Sequence, residues 1–187
     1  METRVRRHPE RGRYDRETVD GILDDGFLCH LGFVVGGQPY VIPTLHARVG
    51  DVLYLHGSPA SRMLQELGSG TSVCVTVTHL DGVVLAKSVF NHSVNYRSAV
   101  VLGTPRRVEG EEKLAALEAI VEHIAPGRWH EARQPSEKEL KTTEVVAIAL
   151  DQCSAKIRSG PPTDSPQDRD LDVPSGVVPI TLVRGTP

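Results

Sequence analysis

Aromatic side chains, cysteine and long apolar runs are all scarce in this 187-residue chain. Aromatics make up 4% of it, with one Trp and three Phe. Proteins that hold single-stranded nucleic acid do so largely by stacking bases on aromatic rings, so this composition argues against that class. The three cysteines, Cys29, Cys74 and Cys153, lie far apart with no CxxC pair. That argues against a disulfide framework or a structural zinc site and fits a reducing, cytoplasmic setting. No apolar run approaches the roughly 20 residues needed to span a bilayer. The Arg-rich start lacks the apolar stretch of a secretory signal. Charge of neither sign dominates, with 21 Lys+Arg against 24 Asp+Glu. The expectation is a cytoplasmic protein with no nucleic-acid and no membrane partner. Its one basic concentration (Arg4, Arg6, Arg7, Arg11, Arg13 and Arg16) is offset by Glu2, Glu10 and Asp15 and reads as a solvated or subunit-hugging arm.

What is present is mostly β pattern. Asp15 is placed to cap a short helix whose stripe is Val19, Ile22 and Leu23, with Gly26 as its stop. Leu28–Val35 reads as a strand, Gly36-Gly37 as a hairpin turn, and Tyr40–Val49 as a returning strand broken by Pro43. Val52–His56 follows as a third strand. Thr71–Thr78 alternates apolar and polar residues, and Val83–Phe90, Ala99–Leu102 and Val145–Leu150 continue the pattern. Three more helices are expected. Ser58-Pro59 opens one over Ala60–Leu67 that closes at Gly68, Glu111–Ile124 forms the second, and Ser136 with Glu139 makes a capping box for the third. The expected fold is mainly β with peripheral helices, an antiparallel barrel or sandwich over residues 1–158. Residues 159–187 hold six of the 13 prolines and read as a Pro/Asp-rich tail, extended or disordered, with Val177–Leu182 docking at its far end.

Chemistry concentrates in three segments. In Leu53-Tyr-Leu-His-Gly-Ser-Pro-Ala-Ser-Arg-Met-Leu64 a strand passes through Gly57 into a helix start, where free backbone N–H groups, Ser58, Ser61 and Arg62 suit a phosphate dianion. A capped helix with an exposed arginine explains the same spacing. Phe90-Asn-His-Ser-Val-Asn-Tyr-Arg-Ser98 is dense in hydrogen-bonding groups that would be costly to bury unsatisfied, so it is an exposed loop or lines a polar ligand. Pro39-Tyr-Val-Ile-Pro-Thr44 carries two prolines, which confines it to an edge, a bulge or a ligand-facing strand. The eight histidines show no metal-ligand spacing.

Together these segments resemble the FMN-binding split β-barrels related to pyridoxamine 5′-phosphate oxidase, in the branch that includes the nitroimidazole-resistance proteins. The strings that carry the resemblance are Gly36-Gly-Gln-Pro-Tyr-Val-Ile-Pro-Thr44, Leu53-Tyr-Leu-His-Gly-Ser58 and His92-Ser-Val-Asn-Tyr-Arg-Ser98, with Pro126-Gly-Arg128 beyond them. The resemblance implies a split β-barrel homodimer that holds FMN. It places the flavin phosphate on His56, Gly57, Ser58, Ser61 and Arg62, the isoalloxazine ring beside Val41, Ile42, Pro43 and Thr44, and further contacts on His92, Tyr96, Arg97 and Ser98. Met63 stands where pyridoxamine phosphate oxidases have a lysine, so the site has one cation fewer and that particular activity is in doubt. The implied function is an oxidoreductase that passes electrons from a donor to a small organic acceptor, such as a nitroaromatic. The alternative is a non-catalytic flavin- or haem-binding storage or sensor protein, with His56 or His92 as axial ligand. The choice between FMN, a deazaflavin and haem stays open at the level of sequence, as does the role of the tail.

Overall fold

The structure is a computed structural model and describes residues 3–185. Glu2 of the basic arm and the last two residues of the tail therefore lie outside the described residues.

Helix α1 (Arg16–Asp25) starts where the Asp15 carboxylate accepts the Thr18 N–H at 2.8 Å, and it buries Val19, Ile22 and Leu23. Strands β2 (Leu28–Val35) and β3 (Gln38–Val49) form the expected hairpin, with Gly36 and Gly37 at φ +55° and +83°. Only a residue without a Cβ adopts both conformations cheaply, as the tight hairpin turn requires. Pro43 does not break β3: it stays in register with His30. It is tolerated there because β4 (Val52–Gly57) pairs with β3 only over residues 46–49, which leaves one edge of the strand open at position 43.

Three further expectations change. Helix α2 is Arg62–Leu67, capped by Ser61 rather than Ser58, and Gly68 ends it in a right-handed conformation. Pro59 is thus in the turn and not in the helix. The two expected strands at 71–78 and 83–90 are one strand, β5 (Val73–Leu85), with a register shift between Leu80 and Gly82. The polar string at 92–98 is not a loop. It opens strand β6 (Ser93–Gly103), which pairs along the whole length of β5.

The remaining elements are β1 (Gly12–Arg13), β7 (Arg106–Val108), α3 (Gly110–Ile124), α4 (Arg128–Glu131), α5 (Glu137–Lys141), β8 (Glu144–Ala149), β9 (Cys153–Arg158) and β10 (Gly176–Pro179). The strands form one antiparallel sheet in the order β1-β9-β6-β5-β2-β3-β4-β8-β7, which does not close on itself, and β10 adds to β5. The tail is therefore laid along the sheet. Lys87 holds it by donating to the carbonyls of Arg169 and Leu171, and Arg184 donates to Ile124 O.

Two apolar clusters explain the strands' sequence patterns. The larger lies between the sheet, α1 and α2 and includes Leu31, Leu53, Leu55, Leu64, Val75 and Ile148. The smaller lies under α3 and includes Ala47, Tyr54, Ala116, Ile120 and Val145. Strands β4 and β8 serve both, with alternate residues on each side, so they read as near-continuous apolar runs. Each such burial removes a whole side chain from water, a gain of roughly 1.5–3 kcal/mol for a Leu or Ile.

Candidate functional site

The turn after β4 is built by close packing. A Cβ on Gly57 would come within 2.8 Å of the Leu64 Cδ2 methyl, so the missing side chain lets Leu64 pack directly over the end of the strand. The Ser58 carbonyl accepts Ser61 N–H at 2.9 Å, and the Ser58 hydroxyl accepts Ala60 N–H at 3.2 Å. Ser61 Oγ caps α2 through Leu64 N–H. With six residues α2 has little dipole, so any anion affinity at this turn rests on hydroxyls and Arg62. The Arg62 guanidinium lies 4.9 Å from the centre of the Tyr40 ring, which stacks on Phe33. No carboxylate among the described residues pairs with it. Met63 is 7% exposed and its side chain belongs to the core.

On β3 the alternation separates the four expected ring contacts. Val41 (68% exposed) and Pro43 face outward, Ile42 packs against the core, and Thr44 is half-buried. The outward pair joins Leu28, Val34 and Pro39 in an exposed apolar strip on β2 and β3.

His56 is elsewhere. Leu55 turns into the larger core, so His56, one residue on, faces the opposite side of β4, toward α3. There it lines a cleft of about 330 Å³ walled by Leu117, Val121, Trp129 and Leu140, with Arg133 and Glu139 at its rim. Among the described residues neither imidazole nitrogen has a hydrogen-bond partner, and Nδ1 is buried. Burial pushes its pKa down, so the ring stays neutral.

The β6 string divides again. His92 is exposed, with Nδ1 donating to Ser88 O at 3.0 Å, while Tyr96 and Ser98 are half-buried. Arg97 is fully engaged. It bonds Asp81 through Nε and Nη2 and Asp25, near the end of α1, through Nη1 at 2.5 Å, and these carboxylates raise its pKa. It lines a second cavity, of about 620 Å³, with His79, Asp81, Leu182 and Arg184. One chain therefore does not gather the expected contacts into a single pocket. The turn, the β3 strip, the His56 cleft and the Arg97 cavity are distinct places.

Sequence spacing also hid a second histidine group. His46, His79 and His123 donate to the carbonyls of Leu23, Ile22 and Gly26, so three imidazoles from β3, β5 and α3 satisfy the end of α1. His46 is fully buried and burial pushes its pKa down to about 4. Asn95, inside the 92–98 string, is likewise buried. It bonds Arg158 and the Gly160 carbonyl, roles that its neighbours in sequence do not announce.

With this geometry in hand, comparison assigns the class. The model of the pyridoxamine 5′-phosphate oxidase family matches residues 15–157, and the chain belongs to that family. Among solved structures it is 38% identical to the flavocytochrome Anf3 from Azotobacter vinelandii, with a TM-score of 0.91 over 98% of this chain and 86% of that one. It is also 38% identical to the FAD and haem binding protein from Mycobacterium smegmatis, with a TM-score of 0.91 over 95% and 87%. A 5-nitroimidazole antibiotic resistance protein from Bacteroides thetaiotaomicron is 26% identical, with a TM-score of 0.66 over 78% and 86%. A search of the curated proteins finds no significant match. The fold is accordingly the split barrel of this family. No helix among the described residues is long and apolar enough to cross a membrane.

Proposed function

We propose that this chain is a redox protein that binds a flavin at the Ser58–Arg62 turn and a haem through His56. The observation that carries the reading is His56 itself. A neutral imidazole with no protein hydrogen bond, edging an apolar cleft, is the donor that haem iron takes as an axial ligand. The cleft is within the usual size of ligand sites, and it opens to the surface. Of the two histidines considered as ligands, exposed His92 has no such walls. That two 38%-identical structures are a flavocytochrome and a FAD and haem binding protein supports the same assignment.

For the flavin, Arg62 pairs with no carboxylate among the described residues and shares its turn with the Ser58 and Ser61 hydroxyls, and a planar guanidinium suits phosphate oxygens. The family resemblance favours FMN, whereas the second of those neighbours favours FAD. The bound flavin supplies hydride and one-electron chemistry. The protein's part is to hold its phosphate at Arg62, Ser58 and Ser61 and to offer the outward face of β3 at Val41 and Pro43. That strip would be covered by a second copy of the chain, giving a homodimer with the flavin at the subunit interface. The physiological role would be electron transfer from a soluble donor to a small organic acceptor such as a nitroaromatic.

One preparation tests this. Protein purified from cells supplied with haem precursor should show a Soret band together with the visible absorption of an oxidised flavin. The mass of the flavin released on denaturation then decides between FMN and FAD. A Soret band without flavin would support a haem-only sensor. Flavin without a Soret band would return the protein to the FMN oxidoreductase reading, and sedimentation at the monomer mass would remove the shared site.

A further inference from the structure

One wall of the His56 cleft comes from a single stretch, residues 126–143, which lies on the protein rather than in it. Neither α4 nor α5 contributes a buried residue. The stretch enters through Pro126 and Gly127, the latter at φ +83°. It is held by polar contacts at its ends: Glu122 accepts the N–H groups of Gly127 and Trp129, and Lys113 donates to Leu140 O.

At the mouth, Arg133 makes a two-pronged pair with Glu139, Nη2 to Oε1 at 2.7 Å and Nη1 to Oε2 at 3.0 Å. The arginine side chain is 71% exposed, and ion pairs this open to water contribute little. Glu139 does not depend on it. The same carboxylate accepts Ser136 N–H at 2.7 Å and Ser136 Oγ–H at 2.8 Å in the capping box that starts α5. Arg133 can therefore leave while Glu139 stays satisfied and the helix stays capped.

Resting on the haem reading above, we propose that Arg133 is the carboxylate-binding group of this cleft, exchanging Glu139 for a propionate of the macrocycle. Haem is an apolar disc with two carboxylates on one edge. The cleft matches that polarity, with an imidazole and apolar walls inside and one guanidinium at the rim. Because the pair with Glu139 is open to water, a propionate can take the place of Glu139 on the guanidinium fork, whereas a ligand without a carboxylate gains nothing from Arg133.

The single tryptophan gives the test a nearby reporter, because Trp129 lines this cleft. Haemin and haemin dimethyl ester, whose propionates are capped, are titrated against the wild-type chain, Arg133→Ala and Arg133→Gln. Trp129 quenching and the Soret band are followed, and circular dichroism melts check folding. The wild type should prefer haemin by a few-fold, up to about fivefold, the worth of one water-exposed ion pair, and both variants should bind the two ligands alike. An equal preference in all three chains, or none in the wild type, overturns the role of Arg133 and leaves the haem site standing. Haemin that neither quenches Trp129 nor shows a shifted, sharpened Soret band in the wild type removes the haem reading, and this inference with it.

Discussion

The turn at 57–62 and the cleft at His56 adjoin in sequence yet are made in opposite ways. At the turn the recognition groups are exposed, and the packed residues beneath, Leu64 and Met63, are there only to hold the backbone. In the cleft the recognition group is itself half-buried, and the exposed residues, Arg133 and Glu139, guard the entrance. The turn can lose a side chain and keep its shape. The cleft loses its chemistry with one substitution. The contrast follows from β4 having both faces covered, so that adjacent residues enter different environments.

The sharpest way to break the comparison is His56→Ala. Its expected result is loss of the Soret band, with haemin affinity down by at least a hundredfold (roughly 3 kcal/mol) and flavin content unchanged. Parallel loss of both cofactors would show the two places to be one. Next is Leu64→Ala, which removes a fully buried side chain under the turn. It should cost about 2–5 kcal/mol in urea unfolding and loosen the flavin before it affects haemin. His46→Gln tests a region neither site uses. Unfolded, this histidine titrates near 6.5, and in the fold only near 4. Between those values the unfolded chain takes a proton that the folded chain refuses, so stability falls as pH drops through that window, by about 3 kcal/mol in total. Glutamine can still donate to Leu23 O, and it should flatten that part of the pH–stability curve. The smallest effect belongs to Arg62→Ala, which should weaken flavin binding by about 1.5–3 kcal/mol and leave haemin binding as it was. Unchanged flavin affinity would move the phosphate away from the turn.

Much of the local structure was legible. Asp15, the Gly36-Gly37 pair and the Ser136–Glu139 box are short-range devices whose partners lie within three residues, and each appears where its chemistry puts it. What escaped was decided at long range. The 92–98 string read as an exposed loop or a ligand-lining segment because its polar groups had no visible partners. In the fold, Arg97 finds Asp25 and Asp81, and Asn95 finds Arg158. Strand β9 was not expected at all, since Cys153–Arg158 is short and half polar. It exists because β6 offers it an edge. The three histidines at the end of α1 come from β3, β5 and α3, and no spacing along the chain could group them.

By itself, then, the amino-acid order determined the caps of α1 and α5, the Gly36-Gly37 turn, the alternation within strands and the family, because all of these are written in neighbouring residues. Only tertiary structure decided which way His56 looks, what Arg97 is paired with and where the tail lies. Those outcomes depend on strand register and on which helix covers which face, and both are properties of the assembled sheet.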